Sequence, residues 1–141
     1  MKIESVGIWC DVVNGRVGTK AVHYLQFLEA TLTELDKNGL KGRYLVMDNA
    51  PIHKSVEVQN LISSRGYKCM YLPTYSPSLN PIEEMWSKMK LNVRRGEITD
   101  KDTLVPRIME AAKKVTVSDC EGWIRHSLTF FDRCLNMEKM L

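Results

Sequence analysis

Long apolar runs are missing from this chain of 141 residues, and none approaches the roughly 20 needed to cross a bilayer, so no membrane span is expected. A secretion signal is missing too, because Met1-Lys2-Ile3-Glu4 places an acid where the apolar core of a signal would begin. Cysteine is sparse. Cys10, Cys69, Cys120 and Cys134 form no C-x-x-C pair, and none has a histidine at zinc-finger spacing. Free thiols in a reducing compartment are therefore expected, rather than disulfides or structural zinc. Repeats and low-complexity segments are absent, and so is a large excess of one charge: the net charge is +3. Residues 1–87 balance 9 basic against 9 acidic side chains, while residues 88–141 carry 11 against 8. That surplus is largely Lys88, Lys90, Arg94 and Arg95. Such a surplus usually marks a solvated face, and clustered on one helix it also suits phosphate contacts.

What is present is enough apolar surface to fold. Hydrophobic residues make up 44% and charged residues 26%, which excludes a disordered chain and fits one domain over residues 1–141. Ile3 to Val13 reads as a strand, Asn14-Gly15 as a tight turn, and Arg16 to about Val22 as a returning strand. Leu25, Leu28, Leu32 and Leu35 then set a helical period over 24–37, which Gly39 should end. Tyr44 to Met47 is a short apolar run, expected as a strand buried on both faces. A helix over 54–65 follows, with Val58, Leu61 and Ile62 inward and Gly66 as its stop, and then a strand over 68–72. Three prolines between Pro73 and Pro81 predict an irregular, stiff loop. Helices are expected over 81–95 (Ile82, Met85, Trp86, Met89 and Val93 inward), 102–115 and 119–135 (Trp123, Ser127, Phe131 and Leu135 inward). The order implies an α/β fold with a mixed central sheet flanked by helices, and right-handed crossovers between its parallel strands.

Two acids stand out in that frame. Asp48 ends a strand, where ligands of such sheets gather, and Glu83 opens the helix after the proline-rich loop. The 34 residues between them span one helix, one strand and one loop, which can bring both carboxylates to one rim. Paired carboxylates suit Mg²⁺ or Mn²⁺, and two such ions can activate one oxygen and stabilise another in phosphoryl transfer. Structural roles compete for the same residues. Asn80-Pro81-Ile82-Glu83 also fits a helix cap with Glu83 closing a capping box, and Asp48-Asn49 also fits a turn that satisfies its own backbone. His53 is more often structural than catalytic, and Trp86 more often core than ligand-binding.

Two strings add to this reading. Val46-Met47-Asp48-Asn49-Ala50-Pro51-Ile52-His53-Lys54 and Tyr71-Leu72-Pro73-Thr74-Tyr75-Ser76-Pro77-Ser78-Leu79-Asn80-Pro81-Ile82-Glu83-Glu84-Met85-Trp86 resemble the catalytic core of DDE transposases of the Tc/mariner superfamily and their bacterial insertion-sequence relatives. Gly18 to Leu28 resembles the family's strand and helix before the second acid, so the resemblance covers about residues 16–95. It implies an RNase H-like fold in which three acids hold two Mg²⁺ (or Mn²⁺) ions. Water attacks a phosphodiester at the transposon end, and the freed 3′-hydroxyl attacks target DNA. By motif position Asp48 corresponds to the second acid and Glu83 to the third, with Glu84 solvent-facing beside it. Asn49 and His53 would orient Asp48 or contact DNA, and Lys88, Lys90, Arg94 and Arg95 would meet phosphate.

The first acid departs from the family's pattern. In the family it lies mid-sheet, two strands ahead of the first helix, whereas only 17 residues precede Gly18 here. Asp11 is the substitute, close to the hairpin tip. The expectation is a core lacking the usual first strand and the N-terminal helix-turn-helix modules, with incomplete catalysis. Two readings follow: metal-dependent DNA cleavage and strand transfer by Asp11, Asp48 and Glu83, or a domesticated, non-catalytic remnant that binds DNA or another protein. The expected partners are DNA and a second copy of the chain, not a membrane or a small-molecule substrate. The expected compartment is the nucleus for a eukaryotic host and the cytoplasm for a bacterial one.

Overall fold

The computed structural model of the protein describes residues 21–95 and 104–137. The chain divides into two compact units, Met1–Tyr75 and Ser76–Leu141. Asp11 and the hairpin expected ahead of residue 21 lie outside the described residues, and with them the antiparallel part of the expected mixed sheet.

The first unit is organised by two helices over a parallel pair of strands. Helix α1 (Ala21–Lys37) buries Leu28 and Leu32, with Tyr24, Leu25 and Leu35 packed beside them on the same face. It is already helical at Ala21, where the pattern predicts strand to about Val22; alanine is the best helix former. The helix ends as expected at Gly39. Its φ of +66° lets Leu40 N–H reach the Leu35 carbonyl at 3.1 Å, a geometry that a side chain would oppose. Strands β1 (Tyr44–Met47) and β2 (Lys68–Tyr71) pair in parallel, in register from Tyr44↔Lys68 to Met47↔Tyr71. A parallel pair requires a crossover, which helix α2 (Val56–Ser64) provides. The single helix predicted over 54–65 is split. Pro51–Lys54 forms a 3₁₀ turn, Ser55 is extended, and its hydroxyl caps α2 by accepting from Val58 N–H at 3.3 Å.

Leu28, Leu32, Val58, Ile62 and Tyr67 form the core of this unit, and Leu45, Met47 and Cys69 from the sheet pack against it. The expectation that β1 is buried on both faces is corrected: Tyr44 and Val46 are exposed, because the helices α1 and α2 cover only the alternate side chains. At the far end of the core, Asp36 accepts from Arg65 at 2.8 Å and from the Tyr67 hydroxyl at 2.8 Å. The Arg65 guanidinium, and then the Tyr67 hydroxyl, hold the Asp36 carboxyl below its ordinary value. Burial, and then that same bond, push the Tyr67 phenol up to about 12.

The second unit is helical among its described residues. Pro77–Leu79 forms a 3₁₀ turn inside the loop expected to be irregular, with Pro77 at the first position, where a missing N–H costs nothing. Helices α3 (Ile82–Arg94), α4 (Leu104–Lys113) and α5 (Val117–Leu135) follow, and α3 packs on both others. Leu79, Met89, Ala111 and Ser127 are buried. Of the inward face predicted for α3, Ile82 and Trp86 stay partly exposed. Trp86 lines an apolar recess of about 320 Å³ with Met89, Leu104 and Ile108 instead of closing a core. Leu135, expected inward on α5, is exposed at the helix end. No described helix is long and apolar enough to cross a membrane, and Cys69, Cys120 and Cys134 form no disulfide among the described residues.

Ile62 has no exposure, so Ile62→Ala should lower stability by about 2–5 kcal/mol in urea titration, whereas Leu135→Ala should change it by under about 0.5 kcal/mol.

Candidate active site

The parallel register sets what stands at the carboxyl ends of the strands. Met47 is the last residue of β1 and its carbonyl accepts from Leu72 N–H at 2.8 Å, so the chain leaves both strands at one rim. Asp48 follows β1 directly. Its Oδ1 accepts from Ala50 N–H at 3.0 Å, which is the turn role expected of Asp48-Asn49. That bond uses one oxygen. The side chain remains 53% exposed, and Oδ2 has no partner among the described residues.

His53 stands over the same carboxylate, with Nδ1 2.6 Å from Asp48 Oδ1. Nδ1 is buried and has no aligned hydrogen bond, so distance is satisfied and angle is not; the pair is a close polar contact rather than a formed bond. The imidazole is positioned by its surroundings. Its ring centroid lies 4.9 Å from that of Tyr24, and the His53 carbonyl accepts from the Tyr71 hydroxyl at 2.7 Å. Burial, then the neighbouring Tyr71, then Asp48, push the Tyr24 phenol up to about 12, and burial first of all raises that of Tyr71. Both phenols therefore stay neutral and donate hydrogen bonds at neutral pH. Asn49 faces the second strand's exit, its Nδ2 donating to Thr74 Oγ1 at 3.2 Å, while its buried Oδ1 has no hydrogen-bond partner. Tyr24, Tyr71 and Thr74 were not singled out from sequence. Tyr24 was legible as a support, lying one turn before Leu28 on the buried face of α1, and Tyr71 follows Cys69 by two on the covered face of β2.

Glu83 opens α3 in the second unit. The capping role expected for Asn80 and Glu83 is only half present: Asn80 Oδ1 accepts from Ile82 N–H at 3.4 Å, but the Glu83 carboxylate caps nothing. It has no hydrogen bond or ion pair among the described residues, and the helix N-terminus favours its charge. Glu84, expected to face solvent, is instead paired with His126 Nδ1 on α5. The two neighbouring acids thus differ: the fold engages Glu84 and leaves Glu83 open.

The basic residues separate by helical rotation. Lys90 and Arg94, two and three turns after Glu83, lie on its face and have no ion pair among the described residues. Lys88 lies about 140° round the helix, where it pairs with Asp119 at the start of α5. Asp119 also accepts from Thr116 N–H at 2.9 Å while Thr116 Oγ1 accepts from Asp119 N–H at 3.1 Å. The reciprocal capping box thus lies here, not at Asn80–Glu83. Arg95 follows α3 and is exposed.

Asp48 and Glu83 offer hard carboxylate oxygens with room for ligands, which fits Mg²⁺ or Mn²⁺. No three His, Cys, Asp or Glu side chains converge on a metal position among the described residues, and Asp11 lies outside them.

The site thus has a carboxylate ending a strand, a second acid opening a helix, and bases on that acid's face. Residues 7–105 match the family described as DDE superfamily endonuclease, and the chain belongs to that family. The matched span begins upstream of the resemblance read from about residue 16, and it contains Asp11, Asp48 and Glu83. Among curated proteins the chain is similar to the Tc1 transposase of Caenorhabditis elegans, at 27% identity over 78 residues, 55% of this chain and 29% of that protein. It is also similar to the Tcb1 transposase of Caenorhabditis briggsae, at 29% identity over 97 residues, 67% of this chain and 35% of that protein. The chain spans about a third of the length of these relatives.

Lys88, and then the Thr116 backbone, hold the Asp119 carboxyl down to about 2 from an ordinary 3.8. The unfolded chain therefore takes up the proton first. The stability gained is full above pH 4 and is lost as pH falls from about 4 to about 2. Thermal unfolding followed across that range should show a steeper acid loss for the native protein than for Asp119→Asn.

Proposed function

We propose that this chain is the catalytic core of a Tc/mariner-type transposase, of RNase H-like fold, that cleaves DNA and joins the freed end to a target. The observation that carries the reading is selective: at the two family motifs, the fold engages Glu84 and leaves Glu83 and one oxygen of Asp48 open. Asp48 and Glu83 would hold divalent metal, with Asp11 as the third acid. Bound Mg²⁺ or Mn²⁺ would supply an activated attacking oxygen and neutralise the leaving one. The chain's own residues do the rest. Ala50 N–H holds Asp48 Oδ1, with His53 in close polar contact, so that Oδ2 is left for an outside ligand. Asn49 ties the Asp48 turn to the loop after β2 through Thr74. Lys90 and Arg94 draw the DNA backbone to the Glu83 face, Arg95 adds a positive charge just beyond the helix, and Lys88 shapes the start of α5 through Asp119. The compartment that fits this is the nucleus for a eukaryotic host, as for the similar transposases' organisms, and the cytoplasm for a bacterial one; the assembly it suggests is a homodimer that holds two DNA ends.

Nicking of supercoiled DNA in Mg²⁺ or Mn²⁺ tests the reading. Asp48→Asn, Glu83→Gln and Asp11→Asn should each reduce nicking by roughly a hundredfold or more, beyond the 10–100-fold typical of residues that only support a metal ligand. Metal-independent nicking, or none by the native chain, sinks it in favour of a remnant that binds without cutting. Separately, Lys90→Gln and Arg94→Gln should each lower the slope of log affinity against log salt by about 1. Lys88→Gln should leave that slope nearly unchanged.

A further inference from the structure

Tyr75 has no role in the site as described, yet it is the least economical residue near it. Its ring is 98% exposed and its backbone φ is +56°, a left-handed conformation that opposes a Cβ and that glycine or asparagine adopts more easily. Met137, the other described non-glycine residue with positive φ, follows the last turn of α5, where left-handed residues commonly end a helix. Tyr75 ends no helix. It sits between β2 and the Pro77–Leu79 turn, with Pro73 and Pro77 restricting the chain on either side. Its hydroxyl has no hydrogen bond among the described residues. Its neighbour Thr74 is tied to Asn49 at 3.2 Å, and Asn49 is next to Asp48. A strained backbone therefore holds an aromatic face out in water, at a point fixed to the turn that carries the candidate metal-binding carboxylate. Strain of this kind persists where function uses it.

We propose that Tyr75 is a stacking platform for an unpaired nucleobase beside the phosphate on which Asp48 acts. This rests on the DNA reading above and adds a contact outside the carboxylates and the bases of α3. Duplex DNA shows a protein its base edges and its backbone; only an unpaired base offers a π-face to a tyrosine ring. Stacking of this kind is strong and tolerant of sequence. Bases beside a cut or a strand end unstack at least cost, so the platform selects DNA at the stage when a strand is open.

The test uses the full chain in EDTA, so that cleavage does not enter, with a single-stranded oligonucleotide containing 2-aminopurine and the matching duplex as probes. The native protein should bind the single strand and quench the 2-aminopurine. Tyr75→Phe should keep both properties within twofold. Tyr75→Asn, which suits the left-handed backbone, should keep or raise the melting temperature while single-strand affinity falls about tenfold or more and the quench disappears. Duplex affinity should not change. Equal single-strand binding by Tyr75→Asn overturns the proposal and leaves the DNA reading intact. An equal loss on duplex makes Tyr75 a general DNA contact and overturns it too, as does a fall of several degrees in melting temperature, which makes the ring structural. Native protein that binds neither probe removes the stacking proposal and the DNA reading together.

Discussion

The candidate site in the first unit depends on the parallel pairing of Tyr44–Met47 with Lys68–Tyr71. An antiparallel pair would send its two exits to opposite ends. The parallel pair, closed by α2 packing Val58 and Ile62 against α1, delivers both exits to one rim. Asn49 and Thr74 meet across that rim for this reason, although they lie 25 positions apart in the chain. Tyr71, the register partner of Met47, is thereby placed to hold the His53 carbonyl, and His53 in turn reaches Asp48. A shift of one residue in register would turn Cys69 and Tyr71 away from the core and undo each of these contacts.

What distinguishes the candidate acids Asp48 and Glu83 from the structural ones is the company each keeps. Asp36 and Asp119 are surrounded by donors, and their carboxyls are held below ordinary values by Arg65 and Lys88 first of all. Glu84 has His126. Asp48 gives one oxygen to a turn and Glu83 gives none to its helix cap. An unengaged carboxylate beside the engaged Glu84 is the pattern expected where ligands come from outside the chain, since a purely structural acid gains from local partners.

Much of this was legible in the residues, and the rest was not for identifiable reasons. The strand Tyr44–Met47 and the helix stops at Gly39 and Gly66 follow from short-range pattern and backbone freedom, and they stand as read. The family motifs were legible because spacing and order carry them. The capping box was misplaced. Asn80–Glu83 and Thr116–Asp119 carry the same local signal, and only the second is realised, with Lys88 from another helix reinforcing Asp119. Rotation at 100° per residue separates Lys88 from the Glu83 face and could have been applied from the sequence. The exposed face of β1 could not, because apolar composition does not say how many layers cover a strand. The support of His53 by Tyr24 joins residues 29 apart and is a product of the fold alone.

The pairing of Tyr44 with Lys68 also has a kinetic meaning. The partners are separated by 24 positions, so they meet only after α2 has condensed between them, and non-local pairing of this kind is slow compared with helix formation. Until then Asp48, Asn49 and Thr74 are ordinary solvated side chains on a tumbling polymer. A chain emerging from the ribosome, or one partly melted, has its helices before it has this rim. The topology thereby confines the assembled rim, with Asp48, Asn49 and Thr74 brought together, to molecules that have finished folding.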